Sequence, residues 1–302
     1  MAQPTVLVAG ITGMLGAKIV EALLAGGAHV RALVRSLEPG GEKQRVLAGW
    51  QERGVTLVEG DVMAPDRRLD AAAAGADAVV SAVSNDPGLI VEGQTNLLRA
   101  AERQGVKRFI PSDFSVDYRK LDFGDNDNLD QRKSFLPVLQ QSRVAHTLVL
   151  QGAFTEMLLT PFFSPYDRAS HTFRYWGDGT TLMDFTTVED TARYVAATVV
   201  DPRTENQALL VAGDQVNYRQ IAEAFEAATG KALKPESQGT SAELRAWIDE
   251  KKRTANNAWE YLGQQYQWAM ITGKGKLDPV QNSLYPEVRP ATVRSYLAAA
   301  LA

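Results

Sequence analysis

The sequence has no cysteine, which excludes disulfides, thiolate-held metals and a cysteine nucleophile. Histidine is scarce as well. His29, His146 and His171 lie far apart without ligand spacing, so no metal site is expected. No apolar run approaches the ~18 residues of a membrane helix. The chain opens on a β-like run at Val6 instead of a signal-peptide pattern. An excess of positive charge is missing too: 32 basic residues face 36 acidic ones, a formal net of −4. A phosphate backbone requires a concentrated positive surface, so a nucleic-acid partner is not expected. The densest basic run, Lys251-Lys252-Arg253, follows Asp249 and Glu250 and reads as a solvated helix face. No internal repeat or low-complexity segment occurs. The expectation is a soluble cytoplasmic protein with neither nucleic acid nor membrane as partner.

What is present is an ordinary globular composition, 45% hydrophobic and 23% charged over 302 residues, enough for one large or two modest domains. The first half alternates short β-branched runs with amphipathic segments. Val6 to Ala9 reads as a buried strand, after which Leu15, Ile19, Val20, Leu23 and Leu24 recur at helical spacing. Gly26-Gly27 ends that helix and a strand from His29 to Val34 follows. The cycle repeats as a helix over 43–51, strand 55–58, helix 67–74, strand 78–83, helix 90–104 and strand 108–110. A helix over 129–142 and a sixth strand over 147–150 complete it. Strands separated by helices need crossover connections, which give a parallel sheet with helices on both faces. The predicted fold is α/β, a doubly wound Rossmann sheet.

Beyond residue 150 the texture changes. Phe154, Leu158, Phe162, Phe163, Tyr166, Phe173, Tyr175 and Trp176 crowd a region broken by Pro161 and Pro165. Met183 to Thr187 reads as one more strand, and Thr187-Val188-Glu189-Asp190 as a helix start that caps itself. We read this strand and helix as returning to the first sheet. The expected domains are therefore 1–152 with 181–212 for the nucleotide, and 153–180 with 213–302 as a second, smaller, discontinuous α/β domain for the substrate. Most of the aromatics are expected to form that domain's core.

Gly10-Ile-Thr-Gly13-Met-Leu-Gly16 directly follows the first strand and opens the first helix. Gly10 permits a tight turn, Gly13 lets the backbone approach a pyrophosphate, and Gly16 lets helix and strand pack closely. The free N–H groups of the helix start, with Thr12, Met14 and Leu15, would hold the anion. A glycine triplet alone is weak, but strand, loop, helix and second strand stand in the required order. A dinucleotide is expected. An NAD site places a carboxylate at the end of the second strand; here Val34-Arg35-Ser36 stands there. Arginine can clamp a 2′-phosphate, and Lys43 offers a second cation, so NADP is favoured. Asp61 reads either as an acceptor for the adenine amino group or as a turn cap. Ligands of open α/β sheets sit beyond the carboxyl ends of the strands, where Val62, Ser81, Val83, Ser112, Gly152 and Phe154 are further cofactor candidates.

No tyrosine here has lysine four residues on, as a Tyr-x-x-x-Lys site requires. The segment at the corresponding distance reads Leu129-Asp-Gln-Arg-Lys133, the lysine without the tyrosine. A lysine whose pKa falls can exchange protons itself; a plain solvent charge is the competing reading, and Arg132 competes for the role. Pro137 is expected to break or kink the helix that presents Lys133.

The glycine spacing resembles that of extended and atypical short-chain dehydrogenases. Gln94-x-x-Leu97-Leu98, Ala100-Ala101, Gly105-Val-Lys-Arg-Phe-Ile-Pro-Ser-Asp-Phe114, Gly177-Asp-Gly179, Asp184 to Asp190 and Tyr285-Pro286 resemble the isoflavone-reductase-like branch of the NmrA-like superfamily. The likeness covers nearly the whole chain, with Ser115 standing where the family usually continues with glycine. It implies an NADPH-dependent reductase of small aromatic, often phenolic, molecules. It also implies that Arg35 and Lys43 take the 2′-phosphate and that Lys133 is both cofactor contact and acid/base. Phe114, Phe154, Met157, Phe162 and Trp176 are candidate substrate contacts. A redox sensor that binds NADP without turning it over, and a quinone reductase, stay open, as does a homodimer.

Overall fold

Residues 3–38 and 40–302 are described by the computed structural model. In chain order come β1 (Thr5–Ala9), α1 (Met14–Ala25), β2 (His29–Val34), α2 (Gly41–Glu52), β3 (Thr56–Glu59), α3 (Arg67–Ala73) and β4 (Ala78–Ser81). Then follow α4 (Gln94–Arg103), β5 (Arg108–Ile110), α5 (Asp127–Gln140), β6 (Ala145–Leu150), β7 (Ala153–Phe154), β8 (Tyr166–Asp167), β9 (Thr172–Tyr175) and β10 (Met183–Thr186). The remainder holds α6 (Val188–Thr198), β11 (Gln207–Leu210), β12 (Asp214–Val216), α7 (Tyr218–Thr229), β13 (Lys234–Ser237), α8 (Ser241–Thr254), α9 (Leu262–Ile271) and α10 (Val293–Ala300). The chain divides into two compact units. One holds the residues up to Asp113, Gln131–Val149 and Thr191–Leu209; the other holds Phe114–Asp130, Leu150–Asp190 and Leu210–Ala302.

The first unit is built on a seven-stranded sheet in the order β11-β6-β5-β4-β1-β2-β3. The registered pairs of β1, β2, β3, β4, β5 and β6 are all parallel. Asn206 donates to the His146 carbonyl and Val211 to that of Leu150, so β11 runs the same way. Continuous apolar runs produce this arrangement because helices cover both faces: Val6, Leu7, Val8, Val79, Val80, Phe109 and Ile110 are fully buried. From β1 the chain proceeds outward through β2 and β3, then restarts on the other side with β4. The reversal between β1 and β4 is the topological switch point, where such sheets bind ligands.

Arg108 shows how the inner edge of this sheet is fastened. Only 3% exposed, it donates to Thr147 Oγ1 (2.9 Å), the Thr198 carbonyl (3.3 Å), Thr204 Oγ1 (3.2 Å) and the Asp201 carbonyl (2.9 Å), and it pairs with Glu205 at 3.0 Å. Arg108→Met keeps the stem but leaves those acceptors unpaired. It should lower unfolding stability by about 2–4 kcal/mol, read by urea denaturation; an unchanged midpoint would refute this account.

Two corrections to the sequence reading concern the fold. The strand at Met183–Thr186 does not return to the first sheet. In the second unit, β10 pairs antiparallel with β12 and parallel with β7, while β11 takes the edge of the large sheet. Burial does not separate these outcomes, because β10 and the inner residues of β11 are both buried. Nor does Pro137 end its helix: α5 continues to Gln140. The proline sits on an exposed face in the last turn, and Phe135 and Leu139, both fully buried, anchor that turn. Only the bond to the Lys133 carbonyl is forgone.

The second unit also contains a mixed sheet of β13, β9 and β8. Its aromatics form a core of their own, with Phe173 packed edge-on against Tyr218 and Phe225 of α7 and Tyr166 5.0 Å from Phe225. Thr187 Oγ1 accepts from the Asp190 N–H and donates to the Asp190 carboxylate, the self-capping start expected of α6. No helix among the described residues is long and apolar enough to cross a membrane.

Candidate functional site

A cavity of about 440 Å³ opens in the first unit at the carboxyl ends of β1, β2, β3 and β4. Its floor is the glycine loop. Gly10 adopts φ +98, and a Cβ there would stand 2.3 Å from the Ala82 carbonyl oxygen. A Cβ on Gly16 would stand 2.1 Å from the Gly10 oxygen. These two glycines are demanded by the fold itself, one by its turn and its contact with the β4 end, the other by the closeness of helix to loop. Gly13 differs. Its backbone is ordinary extended chain (φ −84, ψ 161), and a Cβ would meet only the Gly10 oxygen, at 3.3 Å. It lines the cavity with Gly10 and Thr12.

Met14, Leu15 and Gly16 form the first turn of α1 and are not among the residues that line the cavity. Their N–H groups have no intrahelical acceptor, and Gly13 at the cap provides no side chain to serve them. The helix start therefore presents donors toward whatever fills the loop. That suits an anion.

Arg35, leaving β2, and Lys43, in the first turn of α2, line the same cavity with Ser36. Both cations are exposed, and neither makes an ion pair among the described residues. Asp61 lines the cavity too, and its Oδ1 accepts from the Met63 N–H at 2.9 Å. The turn-cap reading of Asp61 thus holds alongside its place in the wall. Val62 is pinned by Asn96 Nδ2, which donates to its carbonyl at 2.8 Å. Val83 lines the cavity, and its carbonyl accepts from Ser112 Oγ at 2.9 Å. The Ser112 N–H in turn donates to Gln94 Oε1 at 2.7 Å. Ser81, fully buried in β4, stands back from the wall; its hydroxyl has no hydrogen-bond partner among the described residues. Lys133 lies half-buried on α5, also in the first unit.

The remaining sequence candidates fall in the second unit. Gly152 is held at φ +79 with a Cβ position 2.2 Å from the Asp184 carbonyl oxygen. Phe154, in β7, registers with Thr186 of β10. Phe114 is buried and Met157 half-buried. Phe162 makes edge contacts with Trp259 and Tyr266 at 5.9 and 6.2 Å. Trp176 instead borders a recess with Tyr218 and Ile271 of about 10 Å³, room for one water. Phe162 and Trp176 thus have different surroundings.

Among the cavity-wall residues that sequence reasoning did not assign to the site are Ser36, Leu47, Met63, Ser84 and Leu89. Ser36, Met63 and Ser84 follow the carboxyl ends of β2, β3 and β4, so the ligand rule for open sheets pointed at them. Leu89 carried no such signal. It begins a single π turn, Leu89–Gly93, ahead of α4, where an unbroken helix over 90–104 was expected.

Residues 2–297 match the model of the NmrA-like family. The chain is 29% identical over 311 residues to an isoflavone reductase homolog, IRL, of Zea mays, covering 97% of this chain and 96% of that protein. It is 30% identical over 238 residues to an NmrA-like family domain-containing oxidoreductase of Gibberella moniliformis, covering 75% and 77%. Among solved structures, that described as AtPrR2 with NADP+ and (+)pinoresinol superposes with a TM-score of 0.85, at 26% identity and 99% coverage of both chains.

Proposed function

The chain belongs to the NmrA-like family, and on that premise we propose that it is an NADPH-dependent reductase of a small aromatic, phenolic substrate of the phenylpropanoid, lignan or isoflavonoid kind. One observation carries the cofactor: two unpaired cations, Arg35 and Lys43, share a cavity with a glycine loop whose central glycine the fold does not itself require. The relatives support the activity, since they are named as a reductase homolog and an oxidoreductase, and one solved relative is described with NADP+ and (+)pinoresinol.

In this reading the α1 start and Thr12 hold the pyrophosphate, and Arg35 with Lys43 hold the 2′-phosphate. NADPH held there would supply the hydride to the substrate. Lys133 gives a proton from its ammonium group to the atom left electron-rich and regains one from solvent, or, starting as the neutral amine, takes one from a substrate phenol and releases it to solvent.

NADPH oxidation across a panel of lignans, isoflavonoids, phenolic enones and quinones tests this. Turnover of a phenolic member is expected; turnover of quinones alone, or of nothing on the panel, would overturn it. Cofactor choice has a separate test. A charge-assisted contact contributes roughly 1.5–3 kcal/mol, so Arg35→Ala should weaken NADPH by about ten- to a hundredfold. NADH should be nearly untouched. Calorimetric titration of both cofactors decides it, and a wild-type preference for NADH would refute the assignment of Arg35.

A further inference from the structure

Beside Lys133 on α5 stands Arg132, a charged side chain only 4% exposed. A guanidinium is seldom drawn out of water without fixed acceptors. One of these is plain: Arg132 Nη2 donates to Asn85 Oδ1 at 2.5 Å. Asn85 itself is exposed, in the segment that leaves β4. That segment is a wall of the nucleotide cavity, through Ala82, Val83 and Ser84.

The wall is fastened residue by residue. The Ala82 N–H donates to the Ala9 carbonyl at 2.8 Å, and the Ala82 oxygen lies against Gly10. Val83 is held by Ser112. After these two, the chain is exposed from Ser84 to Pro87. It is gathered again only where Asp86 Oδ1 accepts the Gly88 and Leu89 N–H groups, at the π turn. Within the exposed stretch, the bond to Arg132 ties the wall to a different element, the helix that carries Lys133.

We infer that Arg132 is a positioning residue: its bond to Asn85 holds the Ser84–Leu89 wall of the nucleotide cavity in register with α5. This rests on the reading of that cavity as the NADPH site. It also removes Arg132 as a competitor for proton transfer, because its guanidinium is engaged in holding the wall and does not deprotonate near neutral pH.

Amide hydrogen exchange of the ligand-free protein, followed over residues 83–89, tests the tie, with fluorescence titration of NADPH as the second readout. Losing one charge-assisted hydrogen bond should speed exchange there roughly ten- to a hundredfold. Arg132→Met should do so and weaken NADPH about tenfold, the same equilibrium scale. Asn85→Leu, on an exposed residue and so safe for folding, should do the same. Asn85→Asp keeps the acceptor and should leave exchange at the wild-type rate. The double variant Arg132→Met with Asn85→Leu should be no worse than Arg132→Met alone, since that substitution already removes the bond to Asn85. A merely structural role for Arg132 would lower stability without this pattern. The inference is overturned if Asn85→Leu leaves exchange unchanged, or if the two substitutions add. Failure of the proton-transfer reading shows only in turnover, which neither readout measures, so it is told apart from failure of the tie. Absence of any NADPH binding by the wild type, with exchange behaving as described, would instead indict the cofactor reading.

Discussion

Gly13→Val is expected to abolish binding of NADPH and NADH alike while leaving the protein folded. The three glycines of the loop do different things. At Gly10 the positive φ and the 2.3 Å approach to the Ala82 oxygen leave no room for any side chain. At Gly16 the 2.1 Å approach to the Gly10 oxygen does the same. Alanine at either place should destabilise the first unit. Position 13 has the extended backbone that a β-branched residue prefers, and its one close neighbour, the Gly10 oxygen at 3.3 Å, needs to give by only a few tenths of an ångström. What valine would occupy is cavity. A bulky group on the floor of a phosphate loop displaces the anion from the helix start, and both cofactors share that pyrophosphate. Affinity should fall by more than about a hundredfold, roughly 3 kcal/mol, with the urea midpoint near that of wild type. Calorimetry and urea unfolding on the same preparation check both halves. Normal NADPH binding by a folded Gly13→Val would mean that the phosphates are held elsewhere.

The contrast among these glycines shows what the sequence could and could not reveal. Their spacing after a buried strand disclosed the loop, because the local order of strand, turn and helix is written in neighbouring residues. The strands β1 to β6 were legible for the same reason: each is an apolar run bounded by turn residues, and each crossover brings a helix of its own. The second unit was not. Its sheets join strands of two to four residues across long separations, β13 with β9 and β7 with β10, and such pairings leave no periodic trace. Hence β10 was assigned to the wrong sheet. At the site, Arg35 and Lys43 were found by chemistry, since an absent carboxylate is as readable as a present one. The Arg132–Asn85 bond was not, for nothing in the residues 85 and 132 announces that the fold brings them together.

The other large effect is expected at Lys133. It occupies the lysine place of a Tyr-x-x-x-Lys pattern whose tyrosine position holds Leu129, a buried apolar residue that can move no proton. Pro137, one turn on, does not end the helix, so α5 carries Lys133 as a regular helical residue. If Lys133 is the acid/base, Lys133→Ala should keep NADPH affinity within a few-fold of wild type, because the proposed site assigns the phosphates to the loop, Arg35 and Lys43. Turnover of a substrate identified on the panel should drop by roughly a hundredfold or more, the usual scale for general acid–base catalysis. Lys133→Arg separates this from a ribose-holding role. Guanidinium preserves the charge and the donors but does not release a proton near neutral pH, so arginine should be as inactive as alanine. A lysine that merely holds the ribose would show the reverse pattern: cofactor affinity would suffer first, and arginine would restore part of it. Steady-state kinetics with NADPH titrations on the three proteins distinguish the two. Retention of most activity by Lys133→Arg would show that proton transfer belongs to another group, and because Arg132 cannot give up a proton either, Asp113, buried at the end of the first unit's first segment, would be the next to replace.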